Sequence, residues 1–431
     1  MNGRDYALIQ LDGRRLPRWP DQLLRGQKQL VAPPDPRDRA LGEQITAGVV
    51  KNLLLLQYLI EHYSGRPLKN IDSLVQKILA VALYQLRFLT RVPANAAVDE
   101  AVKQAKRFGR TKAAGFVNAV LRNATREPDP PLPAEQDDPQ GFGEIVLSHP
   151  PQLLARLTEL LGIADALRVC RHDNAEPPTI VRLFAGQSPE ALHAQGVTFT
   201  PHEQPGMFVV EGAKHAVLAA WAKAGVAQVQ DPTAAIVADA CDVSPGQIVL
   251  DRCAGLGTKT LQLRERLGDT GELFAVDASA ARCEGLQQLI AARGLHNVHV
   301  SHGSMLSKLG DQLPRTFDRV LVDAPCSNSG VLARRPEARY AQDENTLASL
   351  AKLQRSILKD TAPHVASDGL LVYSTCSIWP EENERMVAVF LREHPSFELV
   401  DERATLPSLS DDAARYRDGG YFAVMRKRVY P

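Results

Sequence analysis

The 431-residue chain has no run of about eighteen apolar residues of the kind a membrane span requires; its longest candidates, such as 53–56, are short and flanked by polar side chains. Near its start Arg14, Arg15 and Arg18 interrupt any charged-then-apolar order, so no secretory leader is expected and the expected compartment is the cytoplasm. Six cysteines make no CxxC, and no histidine pair falls at metal spacing, which argues against a disulfide framework or a zinc site. No metal is expected, and small buried thiols are the ordinary reading. Net charge is missing as well, with 50 Lys+Arg against 50 Asp+Glu. An apolar share of 44% and a charged share of 23% are those of a soluble globular protein. At about 150 residues per domain the length suggests about three domains, and a monomer is expected.

The neutrality is a cancellation. Residues 1–130 hold 21 Lys+Arg and 12 Asp+Glu, a balance of +9, leaving 29 and 38, or −9, for residues 131–431. Opposite signs suggest separate modules, and the basic one is a candidate for phosphate contact. Between them, 127–143 (EPDPPLPAEQDDPQGFG) is rich in proline and acid and lacks apolar periodicity, so it reads as a linker.

Residues 1–130 read as all helical, with apolar residues at three- and four-residue spacing over 37–63, 71–90, 96–108 and 112–125. Lys103, Lys106, Arg107 and Arg110, with Lys112 and Arg122, cluster within about twenty positions. They form either a solvated helix face or an RNA phosphate-binding face. The stretches RDRALGEQITAGVVKN, VPANAAVDEAV and GFVNAVLRN resemble the helical domain of NusB-type RNA-binding proteins over about residues 5–126. That resemblance implies RNA binding by this module. Residues 143–235 read as a small α+β unit. SHPPQLLARLTELLG suggests a helix capped by Ser148, followed by strand-like runs at 179–183, 197–200 and 208–210.

From residue 236 the pattern becomes strand then helix. Strands are expected at 247–250, 273–276, 298–300, 319–322, 370–373 and 421–425, and helices at 259–267, 280–293, 346–362 and 382–394. Such alternation predicts a Rossmann-like, mostly parallel sheet with helices on both faces and ligands at the strands' C-terminal ends. The first strand runs into DRCAGLGTKT, where Gly255 and Gly257 permit a tight turn and the helix start attracts an anion. It is neither a Walker loop nor GxGxxG. With Asp277 closing the second strand, where an acid can bind ribose hydroxyls, the turn favours an adenosine cofactor, and S-adenosylmethionine is the natural candidate.

Two further strands end in VDAPCSNSG and VYSTCSIWPEEN, which puts Cys326 and Cys376 on the expected cofactor rim. A single cysteine there is ordinarily structural, but two in matching loops suggest nucleophilic chemistry. Pro380 followed by Glu381 and Glu382 suggests a helix beginning shortly after Cys376.

D-x-C-A…G-x-K-T, DAPCS.SG…RRP and YSTCS…PEENE are similar to the signatures of RNA cytosine-C5 methyltransferases (the NOL/NOP/Sun family), in order over about residues 228–431. VQDPTAAIVADACDVSPGQIVLD and DGGYFAVMRKR are similar to that family too. With the NusB-like part in front, the whole resembles Sun/RsmB-type 16S ribosomal RNA methyltransferases. The resemblance implies a class I methyltransferase domain at 236–431 and a partner in 16S ribosomal RNA or a small-subunit assembly intermediate. It implies that Cys376 adds to C6 of the base and that Cys326 helps eject the product. Asp323 would hold the base's N3/N4 edge, and Lys259 would position Asp323. Cofactor contacts fall to Cys253, Ala254, Gly255, Leu256, Gly257, Thr258, Lys259, Asp277, Ser304 and Asp323. Arg334 and Arg335 could meet RNA phosphates or be ordinary surface arginines.

Five positions depart from the family pattern. Its usual A-A-P-G-G-K-T is here Ala254-Gly255-Leu256-Gly257-Thr258-Lys259-Thr260, and Glu337 stands where an aspartate is common. Ser304 occupies a place that commonly carries an acid for the adenine amine, which implies weaker or rearranged adenine binding. Two other readings stay open: a NusB-like assembly factor with a vestigial methyltransferase domain, and an amino-group methylase of adenine. The latter would need a [DNS]-P-P-aromatic loop where this chain has Asp-Ala-Pro-Cys.

Overall fold

The computed structural model describes residues 2–12, 33, 35–127, 129–194, 196–408, 410 and 412–429. Arg14, Arg15 and Arg18 lie outside them. By compactness the chain divides into two units, Met1–Ala175 with Leu332–Asp343, and Glu176–Val331 with Glu344–Pro431.

In the first unit the helix Ser73–Phe88 is buried along most of its length, from Leu74 to Gln85. Its start is fixed by Asp72, whose carboxylate accepts from Leu74 N at 3.0 Å and Val75 N at 3.2 Å, a cap worth about 1 kcal/mol. Helices Ala94–Arg107 and Ala114–Arg126 each turn one apolar stripe toward the same core. The sequence spacing suggests one helix over 37–63, but the chain forms two, Pro36–Lys51 and Leu53–Ser64, meeting at Asn52. No glycine or proline marks that break. Leu54 N donates instead to the buried Ser148 Oγ at 2.8 Å, so the serine expected to cap the helix at 151 caps another. The helix Pro151–Leu161 starts at Pro150 with no side-chain cap. It and Ile163–Asn174 pack in this unit, although the composition grouped 143–175 with the strands that follow.

Unit two begins with a four-stranded antiparallel sheet in the order β2-β3-β1-β4 (β1 Thr179–Leu183, β2 Thr198–Pro201, β3 Met207–Glu211, β4 Ala227–Val229). Trp221, from the helix His215–Ala224, closes its small core. Then come β5 Ile248–Arg252, β6 Glu272–Asp277, β7 Val298–His302, β8 Phe317–Asp323, β9 Val365–Thr375, β10 Phe397–Thr405 and β11 Gly420–Lys427. They form one sheet in the order β10-β11-β9-β8-β5-β6-β7. Pairs β5–β6, β6–β7, β5–β8 and β8–β9 are parallel, while β11 runs antiparallel to both β9 and β10. Apolar clusters cover both faces. This is the mostly parallel, class I methyltransferase architecture that the sequence predicts. β10 has no sequence signal, because an edge strand exposes most of its length and carries no apolar alternation.

Candidate active site

The order of the parallel strands reverses between β5 and β8, and in such sheets the crevice outside that switch point takes the ligand. β5 leads into a turn that only unusual backbone can make: Cys253 at φ 72°, Gly255 at 59° and Gly257 at 88°. The Cys253 and Ala254 amides both donate to Val276 O, at 2.8 and 3.1 Å. A Cβ at Gly257 would lie 2.3 Å from Leu286 Cδ1, so both φ and space demand glycine there. At Gly255 nothing lies within 4 Å, which leaves bare backbone over open ground. Its amide donates to Asp277 Oδ2 at 2.9 Å, and Ser279 N donates to Asp277 Oδ1 at 2.8 Å.

These residues fit S-adenosylmethionine. The helix Thr258–Leu267 begins at Gly257 with no side-chain cap, leaving its first N–H groups for a carboxylate, and Asp277 keeps lone pairs for ribose hydroxyls. Leu256 is 66% exposed beside this turn. Ser304 is exposed in the loop after β7, where its carbonyl accepts from the buried Arg252 Nη2 at 2.6 Å. Asp360 Oδ2 holds the same loop through Leu306 N at 2.7 Å and lies 3.8 Å from that guanidinium.

Beneath the turn, Asp251 is buried and accepts from Thr260 Oγ1 at 2.6 Å. Burial pushes its carboxyl up to about 7, against the Thr260 bond, with Asp323 adding to the rise. A carboxyl raised above its unfolded value favours the folded state when protonated. That contribution is complete below the ordinary aspartate range and is lost as pH rises toward about 7. The unfolding midpoint should therefore fall between mildly acidic and neutral pH by more than in Asp251→Asn. Identical pH profiles by calorimetry would refute this.

Across the switch point Lys259 Nζ donates to Asp323 Oδ2 at 2.7 Å, and Ser374 Oγ donates to Asp323 Oδ1 at 2.8 Å. Burial alone would lower the Lys259 ammonium. Asp323 more than offsets it, with help from Cys376 and Asp251, and holds it above its ordinary value.

The two thiols expected on the rim meet. Cys326 Sγ and Cys376 Sγ lie 3.1 Å apart, and Cys376 Sγ donates to Asn328 Oδ1 at 3.3 Å. Cys326 is held well above the ordinary thiol value by its bond to Cys376, by burial and by Glu382, so it stays protonated. Cys376 is the more accessible of the pair.

Sequence reading missed what aligns them. Glu382 is fully buried, and its carboxylate accepts from Ser327 N at 2.9 Å, Ser327 Oγ at 2.5 Å and Gln354 Nε2 at 2.9 Å. Asn383 Oδ1 accepts from Thr375 Oγ1 at 2.6 Å, and its amide donates to Ser377 O at 2.9 Å. Ser329 Oγ and Ser377 Oγ pair at 2.9 Å. PEENE is thus a bracket between the two cysteine loops, and its helix, Glu384–Glu393, starts later than expected from Pro380. The one available signal was a cluster of polar residues directly after a buried strand.

The basic residues distribute differently. Lys103 and Lys106 are exposed, whereas Arg107 pairs with Asp5 and Glu100, and Arg110 Nε lies 3.0 Å from Asp72 Oδ1. Two of the six residues in that cluster are therefore already neutralised. Arg334 and Arg335 belong to the segment Leu332–Asp343 that packs in the helical unit. Arg339 anchors the segment there, fully buried, with bonds to the Lys51 and Ser148 carbonyls at 3.0 and 3.3 Å and to Asn174 Oδ1 at 3.0 Å. Among the described residues no group of three or more His, Cys, Asp or Glu is placed to hold a metal, and no helix is long and apolar enough to cross a membrane.

Residues 238–430 match the family described as 16S rRNA methyltransferase RsmB/F, and residues 18–126 match the NusB family. Ribosomal RNA small subunit methyltransferase B of Pseudomonas putida is 31% identical over 408 residues, 91% of each chain. Probable ribosomal RNA small subunit methyltransferase B of Bacillus subtilis is 30% identical over 370 residues, 84% of this chain and 82% of its own. The crystal structure of PH0851 shares the fold at a TM-score of 0.76, with 23% identity over 91% of both chains. That of NSun6 from Pyrococcus horikoshii with SFG, an S-adenosylmethionine analogue, shares it at 0.51, with 18% identity over 65% of this chain and 99% of that one. With this identity spanning both units, and a glycine turn and acid suited to S-adenosylmethionine, the chain belongs to the RsmB/F family of S-adenosylmethionine-dependent methyltransferases.

Proposed function

We propose that the chain methylates C5 of a cytidine in 16S ribosomal RNA through a covalent adduct between Cys376 and C6 of the base. The observation that carries this reading is the pair of thiols 3.1 Å apart at the ends of β8 and β9, beside the Lys259–Asp323 pair. The Gly255–Gly257 turn and Asp277 would hold S-adenosylmethionine, which supplies the electrophilic methyl group.

Cytosine C5 is a weak carbon nucleophile. Addition of the Cys376 thiolate to C6 moves the C5–C6 π electrons toward C5, so one hard step becomes easier ones. Asp323, charged in its pair with Lys259, accepts from the exocyclic amine and fixes the base edge. Lys259 has two more N–H bonds to offer as negative charge develops on the ring. Once C5 carries the methyl group, its proton passes to solvent water, the C5–H electrons restore the C5–C6 double bond, and the C6–S bond breaks with its electron pair leaving on the Cys376 sulfur. Cys326, kept as a thiol, is placed to protonate the departing Cys376 sulfur. Residues 1–130 would bind RNA, with Lys103 and Lys106 the most available cations and Arg107 and Arg110 exchanging partners to join them. Arg334 and Arg335 remain candidates for phosphate contact. The chain would act as a cytoplasmic monomer on naked RNA or on an assembly intermediate.

A vestigial methyltransferase domain fits less well, because it gives no reason to keep a buried hydrogen-bonded network around two adjacent thiols. The test is 16S ribosomal RNA carrying 5-fluorocytidine, whose C5 substituent cannot leave. With S-adenosylmethionine present, a stable protein–RNA adduct is expected, with ordinary RNA yielding 5-methylcytidine at one mapped position. Methylation at a base nitrogen, or no methyl transfer to any ribosomal RNA, would sink the proposal.

A further inference from the structure

The catalytic unit, residues 176–331 and 344–431, holds 23 Lys+Arg and 29 Asp+Glu, a balance of −6, so any RNA contact it makes must be local. Arg334 and Arg335, the sequence candidates for it, pack in the other unit. Within the catalytic unit a shallow cavity of about 460 Å³ opens at the end of β10, lined by Arg403, Thr405, Ser408 and Arg417 among others. A smaller cavity adjoins it, sharing both arginines and adding Arg415 and His202.

The frame of this cleft is fixed by hydrogen bonds between its walls. His202 Nε2 pairs with Tyr416 O at 2.9 Å, and Glu203 N donates to Ala414 O at 2.8 Å. Ser408 N donates to Arg417 O at 2.9 Å, and Arg417 N to Ser408 Oγ at 3.3 Å. Thr233 Oγ1 and Asp231 Oδ2 bind the Asp418 backbone at 2.7 and 3.1 Å.

The charges do not cancel uniformly. Arg415 lies 3.7 Å from Glu203 and 3.9 Å from Asp412, which neutralise it. Arg403 and Arg417 are exposed, and no carboxylate lies within ion-pair distance of either among the described residues. The acid nearest in sequence on the Arg403 face of the strand is Asp401, two residues along. Two guanidinium forks on a rigid concave frame, in an otherwise acidic unit, suit consecutive phosphates of a nucleic-acid backbone. They suit the backbone better than a base, since among the described residues no Phe, Tyr or Trp lines either cavity and the His202 ring is held through both nitrogens by Tyr416 O and Gln204 N.

We propose that this cleft is a second RNA-backbone site, where Arg403 and Arg417 hold phosphodiesters of the substrate strand away from the reacting base. The inference rests on ribosomal RNA being the substrate. It is tested on the full chain with a 16S ribosomal RNA transcript, by fluorescence anisotropy across a potassium chloride titration. Arg403→Ala/Arg417→Ala should raise the dissociation constant about three- to tenfold and lower the slope of log affinity against log salt by about 2, one unit per arginine. KM for RNA should rise with kcat and the affinity for S-adenosylmethionine unchanged. Arg403→Lys/Arg417→Lys should keep most of the slope, and Arg415→Ala should keep all of it. A double alanine variant that binds S-adenosylmethionine like the parent and shows the parental salt slope overturns the site. A parent chain that methylates ribosomal RNA separates that failure from failure of the functional reading, while a parent that binds no ribosomal RNA overturns both.

Discussion

Cys376→Ala should abolish both methyl transfer and the 5-fluorocytidine adduct, while Cys326→Ala should accumulate a covalent complex even on ordinary RNA. The two sulfurs are 3.1 Å apart, yet their surroundings differ. Cys326 is buried, faces Glu382 and is held protonated, which suits a donor and not a nucleophile. Cys376 is partly exposed at the end of β9 with Asn328 and Lys259 nearby. Removing a covalent nucleophile from a mechanism that depends on it lowers kcat by about 10⁴-fold or more. Removing the proton donor for its departure leaves the first half of the reaction intact and stalls the second. Denaturing gels with labelled RNA distinguish the two. A Cys376→Ala enzyme that still forms adduct, or equal loss of adduct in both variants, would reverse or dissolve the assignment.

Glu382→Ala should be the most damaging substitution outside the reacting groups. It leaves the Ser327 amide, the Ser327 hydroxyl and the Gln354 amide without their shared buried acceptor. Leaving three buried donors without their acceptor, at about 1–3 kcal/mol for each that finds no other partner, costs about 3–5 kcal/mol in all. Ser327 follows Cys326 directly, and Ser377 follows Cys376, so the released energy is that of the alignment itself. Urea unfolding of the full chain should show the loss, and Glu382→Gln, which keeps one acceptor oxygen, should fall between. A loss below about 1 kcal/mol, with adduct formation at the parental rate, would mean that the loops hold their geometry without Glu382.

Sequence alone carried the strands of the parallel part of the sheet, though not their order, because its signals are local. β5, β6, β8 and β9 are continuous apolar runs, as strands buried on both faces must be, and the intervening helices carry clear stripes. Gly257 was legible for a similar reason, since a tight turn between strand and helix leaves few alternatives to glycine. β10 was not legible, because an edge strand with one solvent-facing side needs no pattern. The break at Asn52 was hidden for a different reason. Its stabilising partner, Ser148, is 94 residues away from the amide it caps.

The same division runs through the site. The chain's own order of residues determined that two cysteines, an aspartate and a lysine would stand near the ends of neighbouring strands. Asp323 ends β8, Cys326 and Cys376 follow shortly after β8 and β9, and Lys259 stands in the first turn of the helix after β5. Only the tertiary structure decided that the thiols touch, that Cys326 is held well above the ordinary thiol value and that Glu382 locks both loops. It also decided that Arg107 and Arg110 already have acidic partners, while Arg403 and Arg417 have none within ion-pair reach among the described residues. Burial and pairing depend on which distant segments meet, and a net charge of zero carries no trace of that.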